Sequence, residues 1–215
     1  MLLEQEREGL AAAGRRLAAG GLVIGTSGNL SARAGDLVAV TPTGGVIGEL
    51  TPAMMTVLDL EGQVVEGDLA PTSEVPMHLA VYRATGAGAI THTHAVASTA
   101  IACTLEEIPV VHYAMLALGG SVRVAPYATY GTAELAAHVV TALEGRQAAL
   151  LRNHGSIALG PTVEKAVGNL ELTEWAAELY ARCLALGTPH LLGRQAQEDV
   201  VARALADGYG TTRKL

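Results

Sequence analysis

With 215 residues, half of them apolar, the chain supports one domain with a substantial core and is awkward for two. Net charge is −7 with acids and bases interspersed; no basic stripe exists, which argues against nucleic acid, and no apolar run reaches the length of a membrane span. Phe is absent and Trp occurs once, so the core is built from Ala, Leu and Val.

The first ten residues, "MLLEQEREGL", are amphipathic and acidic early, unlike a secretion signal. Residues 2–20 carry Leu3, Leu10 and Leu17 at a seven-residue interval, which predicts an amphipathic helix ending near Gly20-Gly21. "NLSAR" and "DLVAVT" flank Ala34-Gly35 as a hairpin, and "TVLDL" and "QVVEG" flank Glu61-Gly62 as another. Residues 74–85 are helical, with Ser73 as N-cap and Pro76 in the first turn. "AGAITHTH" is a strand leading to the helix-like "AVASTAIAC". Residues 122–126 are a strand, and residues 132–144 a helix opened by Thr132. "QAALLRNHGSIALG" is two short apolar runs broken at Asn153-His154-Gly155, and residues 162–186 form a long helix. The end, from about residue 205, is glycine-flanked and expected to be a flexible tail. Cys103 and Cys183 share no metal spacing and read as two reduced core thiols. Hairpins mixed with helices predict a single α/β domain spanning 1–215 with a largely antiparallel sheet, and the composition fits a soluble cytoplasmic protein.

"THTHAVAST", residues 91–99, carries the first chemical signal. Alternation along a strand puts His92 and His94 on one face, with alpha carbons roughly 6.6–6.8 Å apart. Imidazoles converging from that distance can share one ion at roughly 2.0–2.1 Å. The pair alone leaves two readings open, metal ligands or a solvent-exposed strand end. Other folds that use His-x-His do not match: no Asp follows Ala95-Val96, the chain is too short for an amidohydrolase barrel, and no Glu follows the pair until Glu106. Further ligands must come from elsewhere. His154 sits where the backbone breaks before a glycine, a good place to aim a rigid imidazole. His78 reads as a helix-face residue satisfied by a nearby carbonyl, His138 and His190 as surface or boundary residues, and His112 is ambiguous.

"GTSGN" (25–29) and "TPTGG" (41–45) are hydroxyl- and glycine-rich, and each alone is compatible with a plain turn. Together with Thr72-Ser73 they supply backbone N–H groups, hydroxyls and the Asn29 amide at a helix N-terminus, an anion cradle needing no cationic side chain.

Taken in order, "GTSGNLSAR", "TPTG", "TSEVPMH", "THTHAVAS" and "RNHGSIALG" resemble the class II aldolase/adducin family over roughly residues 5 to 185. The resemblance implies a single αβα domain with a central, mostly antiparallel sheet flanked by helices. It implies one Zn2+ per subunit on His92, His94 and His154, with Glu74 a ligand at rest and an acid/base in turnover. It assigns phosphate contacts to Gly28, Asn29, Thr43, Gly44, Thr72 and Ser73. It implies a homotetramer with sites at subunit interfaces, where Tyr113 serves from a neighbouring subunit and Tyr209 from a closing C-terminal segment. Three neutral imidazoles leave zinc charged and open, a Lewis acid suited to cleavage beside a carbonyl. A Schiff-base lysine is the other common solution, but the chain has only Lys165 and Lys214. The implied reaction is reversible aldol cleavage of a ketose 1-phosphate, such as L-fuculose 1-phosphate, to dihydroxyacetone phosphate and a small aldehyde such as lactaldehyde. Within the same family stand 5-deoxypentulose-phosphate aldolase, methylthioribulose-1-phosphate dehydratase and ribulose-phosphate 4-epimerase; the last generally carries Asp where this chain has Glu74. Adducin-like interaction modules lack the metal set, and the presence of His92, His94 and His154 argues against one.

Overall fold

The computed structural model describes residues 1–207. The chain opens with α1 (Glu4–Ala19), then the hairpin β1 (Asn29–Ala34) and β2 (Leu37–Val40) and the hairpin β3 (Thr56–Asp59) and β4 (Val64–Glu66). α2 (Val75–Ala84) leads into β5 (Ala89–Thr93) and α3 (Val96–Thr104). After the short β6 (Glu107–Ile108), a 3-10 segment (Tyr113–Leu118) precedes β7 (Val122–Ala125) and α4 (Ala133–Ala142). The hairpin β8 (Ala148–Leu151) and β9 (Gly155–Gly160) is followed by α5 (Val163–Leu186) and α6 (Arg194–Asp207). The strands form one sheet in the order β4-β3-β2-β1-β5-β9-β8-β7-β6. Among the described residues only the β7–β8 pairing is parallel. The αβα domain with a mostly antiparallel sheet expected from the sequence is the fold observed.

Two aliphatic cores cover the sheet. On one face α1, α3 and α5 bury Leu10, Leu17, Ile101 and Leu170 against Leu30 and Val57. On the other, α2 and α4 bury Leu79, Leu135 and Val139 against Val38, Ile90 and Ile157. Each buried Leu or Ile contributes roughly 1.5–3 kcal/mol of transfer free energy. Thr132 and Thr162 cap α4 and α5, accepting from the N–H groups of Leu135 and Lys165, each at 3.2 Å. No described helix is long and apolar enough to cross a membrane.

Some local expectations need correction. Ser73 is not the N-cap of α2; Glu74 holds that position without a side-chain cap bond, because its carboxylate is drawn into a polar cluster. Neither cysteine is a core residue: Cys103 is exposed and Cys183 half-buried. Ile101 and Ala102 face the core of α3, so the next helical step of about 100° carries Cys103 outward. The buried face of α5 ends at Ala177, and Cys183 lies beyond it. β6 and α6 have no counterpart in the sequence reading; β6 is two residues long and α6 buries none of its residues. Beyond Asp207 the expected tail, with Tyr209, lies outside the described residues.

Strand alternation sets which layer receives which chemistry. On β5, Thr91 turns to α5, its hydroxyl donating to the Ala166 carbonyl at 3.2 Å. Ile90 and His92 therefore face the α2–α4 layer. On β1, Leu30 and Ala32 join the core under α1 and α5, which leaves Asn29 and Ser31 facing α2.

Candidate active site

His92 lies within β5 and His94 just past its end, where the chain turns into α3. That turn is fixed from α5: Glu174 accepts the N–H groups of Ala97 and Ser98 at 2.7 and 2.9 Å. His154 comes from the tight β8–β9 turn, in which Asn153 adopts φ 54°, a left-handed conformation that Asn tolerates, and the His154 N–H donates to the Leu151 carbonyl at 3.0 Å. Because β9 pairs with β5 at Thr93↔Ser156, this turn sits beside the strand end carrying His94. Glu74 enters from the start of α2. One ligand atom from each of Glu74, His92, His94 and His154 lies within 4.8 Å of all the others. The ring centroids are 5.0 Å apart for His92–His94 and 4.8 Å for the other two pairs.

Two glycines permit this approach. A Cβ on Gly155 would lie 2.3 Å from the Thr93 carbonyl oxygen and 2.9 Å from His94 Cδ2. Gly28 has φ +93°, and a Cβ there would lie 2.6 Å from the His92 carbonyl oxygen.

His92 Nδ1 donates to the Ser156 carbonyl at 2.9 Å, which leaves Nε2 to face the cluster. Nε2 lies 3.0 Å from Glu74 Oε2 and 3.1 Å from His94 Nε2. Burial works to raise the Glu74 pKa, but the charge of His92, hydrogen bonds from His92 and Asn29, and the charge of His154 outweigh it and hold the carboxyl well below its usual range. Burial likewise opposes charge on His92, yet Glu74 raises it. His94 and His154 are pushed down to about 4, first by burial and then by the neighbouring imidazoles, so both are neutral near pH 7. Glu74 Oε1 is buried with no hydrogen-bond partner among the described residues; His154 Nε2 stands 3.6 Å away. Three imidazole nitrogens, an unsatisfied carboxylate oxygen and a proton held between His92 and Glu74 fit a divalent cation of the zinc type. Such a cation would be held by His92, His94, His154 and Glu74.

A cleft of about 280 Å³ opens beside these groups. Gly28, Asn29, Thr43, Gly44, Thr72 and Ser73 all line it, together with Glu74, His94 and His154. Among the described residues no Lys or Arg lines it. Thr43 and Thr72 give their own backbone N–H groups to the Ala70 and Thr41 carbonyls, each at 3.0 Å, so their offer to an anion is the hydroxyl. Thr26, Ser27 and Tyr130 also line the cleft and were not singled out from the sequence. Thr26 and Ser27 stand inside the quoted "GTSGN"; Tyr130 gives no signal beyond the glycine after it.

The remaining candidates fall elsewhere. Tyr113 opens the 3-10 segment and lines a separate, largely apolar cavity of about 780 Å³ with Val201, Ala204 and Leu205 of α6. Within one chain it is not brought to the histidine cluster. His112 caps that segment, accepting the Ala114 N–H at 3.2 Å. His138 Nδ1 donates to the Pro126 carbonyl at 3.2 Å, and His190 is exposed. His78 is not a ligand: it is fully buried behind Glu74, bonded to Ser31 and to the Asn29 side-chain carbonyl. Burial pushes its pKa down to about 4.

Two outcomes follow from this geometry. In Gly155→Ala the new methyl displaces His94, so divalent-cation affinity falls and stability drops by about 1–3 kcal/mol, read by metal titration and urea unfolding. The second concerns pH. His78, His94 and His154 titrate at about 4 in the folded protein against 6.5 for the free side chain. As pH falls below 6.5 the unfolded chain takes up these protons first, so metal-free protein loses stability down to about pH 4. His92, raised by Glu74, makes its stabilising contribution already above pH 6.5 and so leaves this fall unopposed. The urea midpoint of metal-free protein therefore decreases from pH 6.5 to 4.5; a midpoint that rises contradicts the assignment.

Residues 8–181 match the family described as Class II Aldolase and Adducin N-terminal domain. The chain is 41% identical over 211 residues to the 5-methylthioribulose-1-phosphate/5-deoxyribulose-1-phosphate aldolase of Rhodospirillum rubrum, covering 97% of this chain and 94% of that protein. It is 43% identical over 171 residues to the L-fuculose phosphate aldolase of Escherichia coli, 79% of each chain. The solved structure of an L-fuculose 1-phosphate aldolase superimposes with a TM-score of 0.91 at 37% identity, covering 94% of this chain and 97% of that one. The chain belongs to the class II aldolase and adducin family and stands with its metal-dependent aldolases.

Proposed function

We propose that the protein cleaves a ketose 1-phosphate reversibly between C3 and C4, giving dihydroxyacetone phosphate and a short aldehyde. The observation that carries this reading is a buried carboxylate, with one oxygen unpartnered, lying between three imidazoles and a cleft lined by hydroxyls and glycines. The phosphate end sits in the cradle of Gly28, Asn29, Thr43, Gly44, Thr72 and Ser73, held by neutral donors. A divalent cation, Zn2+ in this reading, supplies a Lewis acid that stabilises negative charge developing on the carbonyl oxygen. Cleavage leaves an electron pair shared between C3 and that carbonyl, and C3 must then be protonated. Glu74 serves there: Asn29 and His92 hold Oε2, so Oε1 is the atom that delivers the proton in cleavage and removes it in synthesis. The C4 hydroxyl proton goes to a tyrosine. Tyr113 reaches a neighbouring subunit's cleft in a homotetramer, and Tyr209 comes from the C-terminal segment. Lys165 lies in the first turn of α5 and is not among the residues lining the cleft, which supports a route without a Schiff base.

The substrate best supported is a 5-deoxypentulose 1-phosphate, with acetaldehyde as the second product. The relative whose name gives 5-deoxyribulose 1-phosphate beside 5-methylthioribulose 1-phosphate matches through nearly the whole chain, whereas the fuculose phosphate relative matches over 79% of it. L-Fuculose 1-phosphate, giving lactaldehyde, is the second reading, supported by the close structural likeness. Both share the dihydroxyacetone phosphate half that the cradle and Glu74 address.

Incubation with dihydroxyacetone phosphate and acetaldehyde, methylthioacetaldehyde or L-lactaldehyde yields the corresponding ketose 1-phosphates, acetaldehyde fastest. Ribulose 5-phosphate and methylthioribulose 1-phosphate in parallel report epimerisation and dehydration; either as the dominant activity rules out the aldolase reading. Chelation abolishes turnover and Zn2+ restores it, while full activity in metal-free protein excludes the metal role. Glu74→Gln retains bound metal but slows hydrogen exchange at C3 of dihydroxyacetone phosphate by about 10²–10⁴-fold; unchanged exchange removes Glu74 as the base.

A further inference from the structure

Behind Glu74 a line of buried polar side chains runs between α2 and β1. Glu74, His78 and Tyr82 succeed one another at four-residue steps, about 6 Å along a helix. Asn29 and Ser31 are two residues apart on the facing strand, about 6.6–6.8 Å. The two spacings nearly match, so the side chains interleave. Asn29 Nδ2 donates to Glu74 Oε2 at 2.8 Å. His78 Nε2 lies 2.6 Å from Asn29 Oδ1, and His78 Nδ1 lies 2.6 Å from Ser31 Oγ. Ser31 Oγ is 2.8 Å from the Tyr82 hydroxyl. Asn29 is 6% exposed, Tyr82 1%, and Ser31 and His78 are inaccessible.

The direction of every bond in this line follows from one end. An ionised carboxylate only accepts, so Asn29 must present its NH2 to Glu74 and its Oδ1 to His78. A carbonyl oxygen only accepts, so His78 carries its proton on Nε2. Its Nδ1 is then an acceptor of a hydrogen bond donated by the Ser31 hydroxyl, and Ser31 accepts from Tyr82. The shape of the Asn29 amide does not select this arrangement, because turning it over exchanges O for NH2 with no change in volume. Turned over, the amide would set Oδ1 against the carboxylate.

We infer that His78 is a positioning residue for Glu74: its Nε2–H fixes the Asn29 amide with NH2 toward the carboxylate, and Ser31 and Tyr82 hold the imidazole in the tautomer that does so. The assignment rests on the reading of Glu74 as the proton-transfer group and extends it one layer into the fold. Neither His78 nor Tyr82 is among the residues that line the cleft. Asn29 does line it, so the amide that steadies the base also belongs to the phosphate cradle.

The tautomer is tested directly on protein labelled with 15N-histidine near neutral pH. The expected His78 ring is neutral with the proton on Nε2; a proton on Nδ1 overturns the inference, whatever the activity proves to be. The second test compares two amides. Gln at this position reaches the place of Nε2 and can donate to Asn29, whereas Asn reproduces only the Nδ1 end and can meet Ser31 alone. His78→Gln therefore keeps C3 hydrogen exchange of dihydroxyacetone phosphate within about threefold of wild type, and His78→Asn loses about 10–100-fold, both at unchanged metal content. Equal losses, or no loss in either, show that the ring only fills space. If His78→Asn fails to fold, the ring spectrum decides alone. If the wild-type protein exchanges no hydrogen at C3, it is the role of Glu74 that fails, and the spectrum still decides the role of His78.

Discussion

The site depends on a carboxylate that is buried yet kept ionised. Taking a lone carboxylate out of water costs several kcal/mol even after relaxation, and Glu74 is 5% exposed. His92 at 3.0 Å and the Asn29 amide at 2.8 Å offset that cost on one oxygen only. The other oxygen is left facing His154 without a hydrogen bond. An unsatisfied buried acceptor beside two neutral imidazoles is an unstable arrangement unless a cation or a proton visits it. The same imbalance that suits the pocket to a cation also makes Oε1 a place where a proton can be held.

That arrangement is a consequence of strand register. β5 and β9 pair so that His92 stands opposite Ile157 and Thr93 opposite Ser156. The Ser156 carbonyl then meets His92 Nδ1, and the β8–β9 turn presents His154 beside His94. A slip of one residue would turn His92 into the α5 layer and bring Thr91 to the α2–α4 layer. The hydrophobic alternation of β5 prevents the slip, since Ile90 belongs to the core under α2 and α4. Core packing and the placement of the imidazoles are thus enforced by the same residues, and Gly155 and Gly28 serve both by letting backbone and imidazole approach without a Cβ between them.

Much of this was legible in the sequence because it is local. The parity of His92 and His94, the break at Asn153, both N-terminal hairpins and the Thr132 and Thr162 caps depend on residues a few positions apart. That Gly28, Asn29, Thr43, Gly44, Thr72 and Ser73 line one cleft was legible only from the set, since each turn alone has an ordinary explanation. What escaped depends on distant segments meeting. His78 looked like a helix-face residue with a carbonyl partner; the carbonyl belongs to Asn29, and the second partner, Ser31, is equally remote in sequence. Tyr130 reaches the cleft because the loop before α4 folds over the start of α2, a contact no spacing announces. The cysteines were misplaced because apolar character said nothing about which side of α3 or which turn of α5 they occupy.

The helix that carries Glu74 shows how stability and chemistry compete at this site. Glu74 occupies the N-cap position of α2, where a short polar side chain ordinarily folds back onto the first free amides. Here no side-chain cap forms, and the carboxylate turns toward Asn29 and His92 instead. Thr72 recovers part of the loss by accepting the Glu74 N–H at 3.3 Å, and Pro76 removes one donor that would otherwise need a partner. The rest must be made up further along the helix, where His78 and Tyr82 tie α2 to β1 through Asn29 and Ser31. A capped α2 would be a better helix by itself, but its carboxylate would point away from the imidazoles. The polar ladder anchors the helix from the strand side, so the carboxylate at its N-cap stays turned toward the imidazoles.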